Sequence, residues 1–225
     1  MVNIYKCVFV FLLLINQISC AYFGVPKNIK QGFTYCDNGE KTNLESLINI
    51  EGYYVEAKPL LDSKVGTYYI NFMFYDDGSF VYGFYDCNSE KREKGKSNIP
   101  LYFDEIISDN EGEISKSFYN SFYWGRYLIS GDTIKTQYIN HPVSISPDWA
   151  AWEIWYKVID RNTIIEIYSK PIHYMSESDC KNYQEYKKKE KPNFPAKFIA
   201  VEKKPVPNCW LKQEDWFWCK NRNVK

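Results

Sequence analysis

Residues 67–75 (TYYINFMFY) and 79–86 (SFVYGFYD) are two aromatic and β-branched runs separated only by Asp76, Asp77 and Gly78. Bulky and β-branched side chains pack well on a pleated surface and lose rotamer freedom in a helix. Gly accepts the positive φ that tight turns need, so this break reads as a hairpin. The same punctuation returns twice. Gly131 and Asp132 join a run within 118–130 to residues 133–139, and Asp160, Arg161 and Asn162 join 149–159 to 163–170. Residues 52–58 and 197–202 are further strand-like runs at the two ends. Sequential hairpins of this kind, about eight strands in all, close into an up-and-down barrel and so remove exposed edges. The expected fold is therefore all-β, an antiparallel up-and-down β-barrel with short peripheral helices. A sandwich is the other arrangement that the periodicity allows.

The alternation assigns faces. In 133–139, Ile134, Thr136 and Tyr138 alternate with Lys135 and Gln137, as in a strand with one wet face. Trp152, Ile154, Tyr156 and Val158 share a face opposite Glu153 and Lys157; Tyr68, Ile70, Phe72 and Phe74 share another. Pro171 is expected to end the strand that starts at Thr163. Helical turns are expected within 42–48, 99–107 and 179–189. Residues 88–116 lose the strand pattern and hold a charge run and an acidic stretch.

The N-terminus adds a location. Lys6 precedes an apolar run from Val8 to Ile15, and Asn16, Gln17, Ile18 and Ser19 lead to Cys20. That is the layout of a secretory signal, too short to span a bilayer as a mature helix. Ile18-Ser19-Cys20 resembles the end of a lipobox, which would make Cys20 the lipidated first residue and the membrane a partner through the anchor. Cleavage after Ala21 is the alternative. Either way the expected location is extracytoplasmic, lipid-anchored to the cell envelope or secreted. The expected organisation is a signal peptide over 1–19, a leader over 20–49, a barrel domain over 50–202 and a tail rich in Cys and Trp over 203–225.

Charge is balanced, with 28 basic and 28 acidic residues, so no single-sign face is demanded and nucleic acid is not an expected partner. Beyond Cys7 and Cys20 the cysteines are Cys36, Cys87, Cys180, Cys209 and Cys219; none has CxxC spacing, which disfavours a zinc ribbon. The tail has two readings. As a helix it sets Cys209 and Cys219 about 15 Å apart, beyond disulfide reach. As a hairpin turning at Gln213, Glu214 and Asp215 it sets Cys209 against Cys219 and Trp210 against Trp218. An oxidising compartment favours the bridged hairpin.

Catalytic signals are weak. His141 and His173 are the only histidines, and neither has a partner at helical or hairpin spacing. There is no Gly-x-Ser-x-Gly elbow and no phosphate-binding glycine pattern. Adjacent carboxylates recur at Asp76-Asp77, Asp104-Glu105 and Glu214-Asp215, with Glu111 and Glu113 close by. The turn explains the first pair, and the stretch 109–113 lacks calcium-loop spacing. No metal or cofactor is expected, and an enzyme is the less favoured reading. The 20 Tyr, 14 Phe and 7 Trp remain. Phe72, Phe74, Trp124, Trp152 and Tyr156 are the candidate ligand-binding residues, either filling the barrel or lining a cavity for a small apolar ligand.

Three stretches carry a family resemblance: Glu51-Gly52-Tyr53-Tyr54, the run from Trp124 to Ile134 (WGRYLISGDTI), and the run from Trp155 to Ile164 (WYKVIDRNTI). Over roughly residues 50–170 the chain resembles lipocalin-like lipoproteins of Bacteroidetes-type bacteria. Gly52-Tyr53-Tyr54 stands where true lipocalins carry Gly-x-Trp. The resemblance implies a lipid-anchored barrel outside the cytoplasm, acting as a non-enzymatic binding or interaction module. Two alternatives stay open: a hydrolase acting on envelope or dietary glycans through paired carboxylates, and a purely structural envelope lipoprotein. Two acidic side chains in a cleft favour the hydrolase, an apolar cavity open at one end favours the binder, and a solid interior favours the structural role.

Overall fold

The structure, a computed structural model, describes residues 24–59, 67–85, 123–139, 149–173, 181–183, 185, 194–202, 204, 206–207 and 209–221. Eight strands follow one another: β1 (Gly52–Pro59), β2 (Thr67–Phe74), β3 (Ser79–Tyr85), β4 (Tyr123–Ser130), β5 (Thr133–Ile139), β6 (Ala151–Asp160), β7 (Thr163–His173) and β8 (Pro195–Ala200). Each pairs antiparallel with the next, and β8 closes on β1 through Tyr54 opposite Phe198 and Val55 opposite Lys197. The sheet is one closed barrel, not two stacked sheets.

The two ends differ. The tight turns after β2, β4 and β6 lie at one end; the connections after β1, β3, β5 and β7 leave from the other. At the first turn the Gly78 amide donates to the Tyr75 carbonyl (3.1 Å), and the Ser79 amide to Asp77 Oδ1 (2.8 Å). Gly78 has φ of 83°, and a Cβ there would sit 2.4 Å from the Arg126 guanidinium. Both facts require the glycine that marked this hairpin in the sequence. The turn end is also stoppered. A 3₁₀ turn, η1 (Leu44–Ser46), lies within the expected 42–48 helical segment, and Leu44 and Ile48 bury fully against the inward-facing side chains. It is called the closed end below.

Inside, the alternation holds as read. Phe72 is the hub: it stacks on Tyr156 (centroids 4.9 Å apart) and on Tyr54 (5.8 Å), and meets Phe74 edge-on (5.9 Å). Trp152, Ile154, Tyr156 and Val158 all belong to this interior cluster. Truncating Phe72 removes a fully buried ring from the middle of the stack. Phe72→Ala is expected to cost about 3–5 kcal/mol in urea unfolding. Trp152→Ala should cost clearly less, because Trp152 is only half-buried. Equal costs would mean that the open half is as tightly packed as the closed half.

A second core lies outside the barrel wall. Val25, Ile29 of helix α1 (Lys27–Gly32) and Phe33, with Cys209, Leu211 and Phe217 of the tail, cover the outward-facing Tyr53, Val55, Met73, Val81, Trp124 and Ile139. The leader and tail are thus a coat on the barrel. This corrects the expectation for Trp124. It is fully buried, but in the outer core, because the inward positions of β4 are Tyr123 and Tyr127 on either side of it.

The tail corrects a second expectation. It forms three 3₁₀ turns, η2 (Trp210–Gln213), η3 (Asp215–Phe217) and η4 (Cys219–Asn221), and so is neither an α-helix nor a hairpin. Cys219 bonds to Cys36, with their Cα atoms 4.9 Å apart; Cys209 is a buried free thiol. The predicted Cys209–Cys219 bridge is therefore replaced by a leader-to-tail bridge. The curled turns carry Cys219 to the leader, where the Asp37 amide donates to Phe217 O (2.8 Å) and the Cys219 amide to Asp37 O (2.9 Å). Cys209 instead turns into the outer core beside Leu211.

An ion network secures the same place. Arg126 Nη1 lies 2.8 Å from Asp37 Oδ1 and donates to the Asp77 carbonyl (2.9 Å); Lys212 lies 2.6 Å from Asp77 Oδ2. Burial pushes the Asp77 carboxyl up, but the hydrogen bonds from Lys212 and from the Ser79 amide outweigh it and hold the group below its usual range.

Strand β7 passes through Pro171, contrary to the expected stop, and runs to His173. Pro171 pairs with Trp152 beside a register shift. A bulged register tolerates a residue that lacks an amide donor.

Candidate functional site

Five of the strands carry a carboxyl or phenol group among the inward positions away from the closed-end turns. On β1, Tyr54 is followed by Glu56; on β3, Phe80 by Tyr82; on β5, Thr136 by Tyr138; on β7, Ile164 by Glu166. On β6 the hydroxyl-bearing Tyr156 sits opposite Glu166. Glu56 and Glu166 are 1% and 4% exposed. Their strands flank β8, whose small inward residue Ala196 pairs with Ile164, one inward position nearer the closed end than Glu166. The negative charges of both glutamates act on the Tyr82 and Tyr156 hydroxyls, so the two face one region of the interior.

The local sequence explains how each group arrives there. Glu56 is in phase with Gly52 and Tyr54, so plain alternation turns it inward. Glu166 is in phase with Ile164. Directly after it a β-bulge intervenes: Tyr156 pairs with Glu166, but Trp155 already pairs with Tyr168. Ile167 is the extra residue, 52% exposed. Without the bulge, Tyr168 would follow Glu166 into the barrel. With it, Tyr168 packs outside on Trp155 (4.7 Å), and Ser169 takes the place opposite Ile154.

The electrostatics agree with the geometry. Burial pushes the Tyr82, Tyr138 and Tyr156 hydroxyls well above their ordinary value, and the negative charge of Glu166 adds to each shift. Glu56 adds to those of Tyr82 and Tyr156. Tyr82 and Tyr138 stack with centroids 4.6 Å apart, and Tyr123 continues the stack beyond Tyr138 at 5.9 Å with planes 2° from parallel. Tyr123 and Trp152, both half-buried, form the last described aromatic level toward the open end. Tyr183 meets Trp152 edge-on at 5.3 Å and donates to the Ser169 carbonyl (2.8 Å). The Tyr156 hydroxyl is enclosed and makes no hydrogen bond with the described residues.

The structure thus brings Phe72, Phe74, Trp152 and Tyr156 into one interior and sets Trp124 outside it. Sequence reasoning missed Glu56, Glu166, Tyr82, Tyr138 and Tyr123. The available signal was a carboxylate in phase with inward positions; adjacent carboxylates were weighed instead. Of those, Asp77 serves its turn, and Glu214 accepts from Trp216 Nε1 (2.7 Å). Asp104, Glu105, Glu111, Glu113, His141, Cys87, Cys180 and Cys20 lie outside the described residues, and His173 is described only as backbone at the end of β7. Among the described residues no group of three His, Cys, Asp or Glu side chains is placed to hold a metal ion.

A shallow cleft of about 360 Å³ lies at the closed end between Glu45, Asn49, Glu51, Arg161 and Phe198. Its guanidinium is committed to the carbonyls of Glu45 (2.9 Å) and Ser46 (3.3 Å) and to Asn49 Oδ1 (3.1 Å). That cleft is therefore the seam between the stopper and the barrel.

No family model, curated protein or solved structure matches the chain. The reading of its function rests on the barrel itself. Aromatic walls take up apolar surface, and the carboxyl and hydroxyl groups above them supply hydrogen-bond acceptors in a region that excludes water.

Proposed function

We propose that this chain is a non-enzymatic, lipocalin-like binding module acting outside the cytoplasm, and that it takes a small, largely apolar ligand through the open end of its barrel. The observation that carries the reading is the aromatic wall, which is sealed at the closed end by Leu44 and Ile48 and reaches the open end at the half-buried Tyr123 and Trp152. The stopper at the turn end supports entry from the end opposite it. The signal layout of residues 1–20 supports export, and Cys20 supports attachment to the envelope through lipid, with Cys20→Ser moving the protein to the soluble fraction.

The test is mass spectrometry of small molecules extracted from protein purified from its natural host. One apolar compound in near-stoichiometric amount is expected, and its yield should fall in Trp152→Ala. An empty barrel that also fails to bind apolar probes in titration would leave the filled, structural barrel as the correct reading.

A second reading has one observation in its favour. Two carboxyl groups inside one barrel are what a glycosidase requires, at separations of about 5–10 Å. Turnover of aryl glycosides that disappears in both Glu56→Gln and Glu166→Gln would replace binding by hydrolysis. No turnover is expected, because both carboxyl groups are walled in by aromatic rings.

A further inference from the structure

We infer that the uncoated outer wall of β4 to β7 is a docking face for an anionic lipid bilayer, with Trp155, Ile167 and Tyr168 entering at headgroup depth and Lys135, Lys157 and Lys170 meeting the lipid phosphates. The barrel interior plays no part in it; only the presence of a membrane nearby rests on the envelope location proposed above.

The first observation is where the exposed apolar side chains lie. Among the described residues, the large apolar side chains left exposed are Leu128, Ile159, Ile167, Tyr168, Phe194 and Val206. Four of the six stand on β4, β6 and β7, away from the outer core that leader and tail cover. Leu128 and Tyr168 end one cross-strand row, Leu128, Lys135, Trp155 and Tyr168. Ile167 adjoins Tyr168, and the half-buried Ile165 follows on the same strand. Exposed apolar residues scattered singly need no explanation, whereas a cluster marks a surface that meets something.

The second is the bulge in β7. It sets Ile167 and Tyr168 side by side outside the barrel, where plain alternation would send Tyr168 inside. Bulges interrupt a ladder and re-aim side chains. This one adds two apolar groups to the surface and withholds one from the interior, an arrangement that burial within the chain does not reward.

The third is the charge around the row. Lys135 Nζ lies 4.3 Å from the centre of the Trp155 ring, and Lys170 Nζ 6.0 Å from that of Tyr168. Lys157, one outward position along from Trp155, is bonded to Asp132. The carboxylate among them is drawn inward. Glu153 is buried and accepts from Gln137 Nε2 (2.8 Å) and Trp155 Nε1 (2.6 Å), with Lys170 4.0 Å away. Ammonium groups over aromatic rings are thus what the wall presents. Trp and Tyr rings settle at the boundary between headgroups and acyl chains, and lysine stems reach from there to phosphate. A neutral sugar would need open ring faces, and Lys135 stands over that of Trp155.

The start of the chain lies on the same side. Helix α1 packs on β7, where a Cβ at Gly32 would meet Ile172 at 2.4 Å. Cys20 is four residues ahead of Gly24, a span of at most about 14 Å. A lipid on Cys20 would hold the bilayer within reach of the wall that includes β7.

The experiment is vesicle flotation of the mature protein carrying Cys20→Ser, so that no attached lipid contributes. It should float with vesicles of equal parts phosphatidylcholine and phosphatidylglycerol, and not with phosphatidylcholine alone. Lys135→Gln with Lys170→Gln should weaken binding about twentyfold, about fivefold for each basic residue near an anionic surface. Ile167→Ser with Tyr168→Ser should weaken it at least about tenfold, and Lys220→Gln on the tail should leave it unchanged. Should the serine pair not fold, quenching of Trp155 by brominated lipid, lost in Trp155→Phe, reports the same contact. No flotation, equal flotation with neutral vesicles, or flotation indifferent to both pairs overturns the inference. A dimer in sedimentation that the serine pair dissolves, without flotation, gives the face to a second copy and overturns it too. The anchor is judged separately, by whether the wild type is recovered in the membrane fraction; a soluble wild type whose unlipidated form still floats would remove the anchor and keep the docking face.

Discussion

Removing the Cys36–Cys219 bond should lower the unfolding free energy by about 3–5 kcal/mol, a large share of the about 5–15 kcal/mol typical of a folded domain. The bond joins residues 183 apart in sequence. In the chain-entropy account, a loop of that length restricts the unfolded chain by about 5 kcal/mol, and engineered removals usually return somewhat less. The same bond holds the coat on the barrel. Phe217 and Leu211, which cover outer-wall residues such as Trp124, are anchored on one side by Cys219. Urea unfolding of the Cys36→Ser, Cys219→Ser double variant against the wild type measures the cost. Peptide mapping without reduction should recover a fragment containing both cysteines. Cys209 should resist alkylation until the protein unfolds, since burial pushes its thiol up to about 12. A cost below about 1 kcal/mol would show that the Asp37–Arg126 pair and the packing of Phe217 hold the tail without covalent help.

The second large effect is alkaline unfolding. Tyr54, Tyr82, Tyr127, Tyr138 and Tyr156 are all buried, and burial raises each hydroxyl above the ordinary value of 10.0. In the folded chain they keep their protons at a pH where the unfolded chain has released them. Their contribution is therefore fully present below pH 10 and is lost as the pH climbs from 10 toward the folded values. Each displaced titration is worth about 1.4 kcal/mol per pH unit, so five together remove about 7 kcal/mol per unit. Lys204 acts in the opposite sense. Burial lowers its amine from 10.5 to about 8, so stability rises with pH between those values and the fall begins only above about 10. Cooperative loss of the barrel between about pH 11 and 12 is expected, with tyrosinate absorbance appearing in the same step as the loss of circular dichroism. Gradual ionisation near pH 10 with the barrel intact would mean that the interior tyrosines are open to water.

The β-barrel was legible because its evidence is local. Alternation with period two and glycine-marked turns depend on neighbours in the chain, and both are visible without the fold. Phe72, Phe74, Trp152 and Tyr156 were placed on inward faces by that alternation alone. Glu56 was equally available to it, but a charged residue on an apolar face carries no marker of its own. Glu166 was harder: the bulge at Ile167 reverses the alternation directly after it, and a bulge depends on the partner strand. Trp124 shows the limit from the other side. Its size and aromatic character are the same whether it faces the interior or a coat.

By itself, then, the sequence of this protein determined the number and order of its strands, the positions of its tight turns, the faces of β2, β5 and β6, and the expectation of export. Only the tertiary structure decided that β8 closes on β1, that Cys219 pairs with Cys36 and not with Cys209, that the leader and tail bury Trp124, and that two glutamates and an unpaired tyrosine hydroxyl meet inside. The physical reason is one of range. Backbone propensity and side-chain alternation act between near neighbours, whereas a disulfide over 183 residues, a bulge register and a convergence across three strands exist only once distant segments have been brought together.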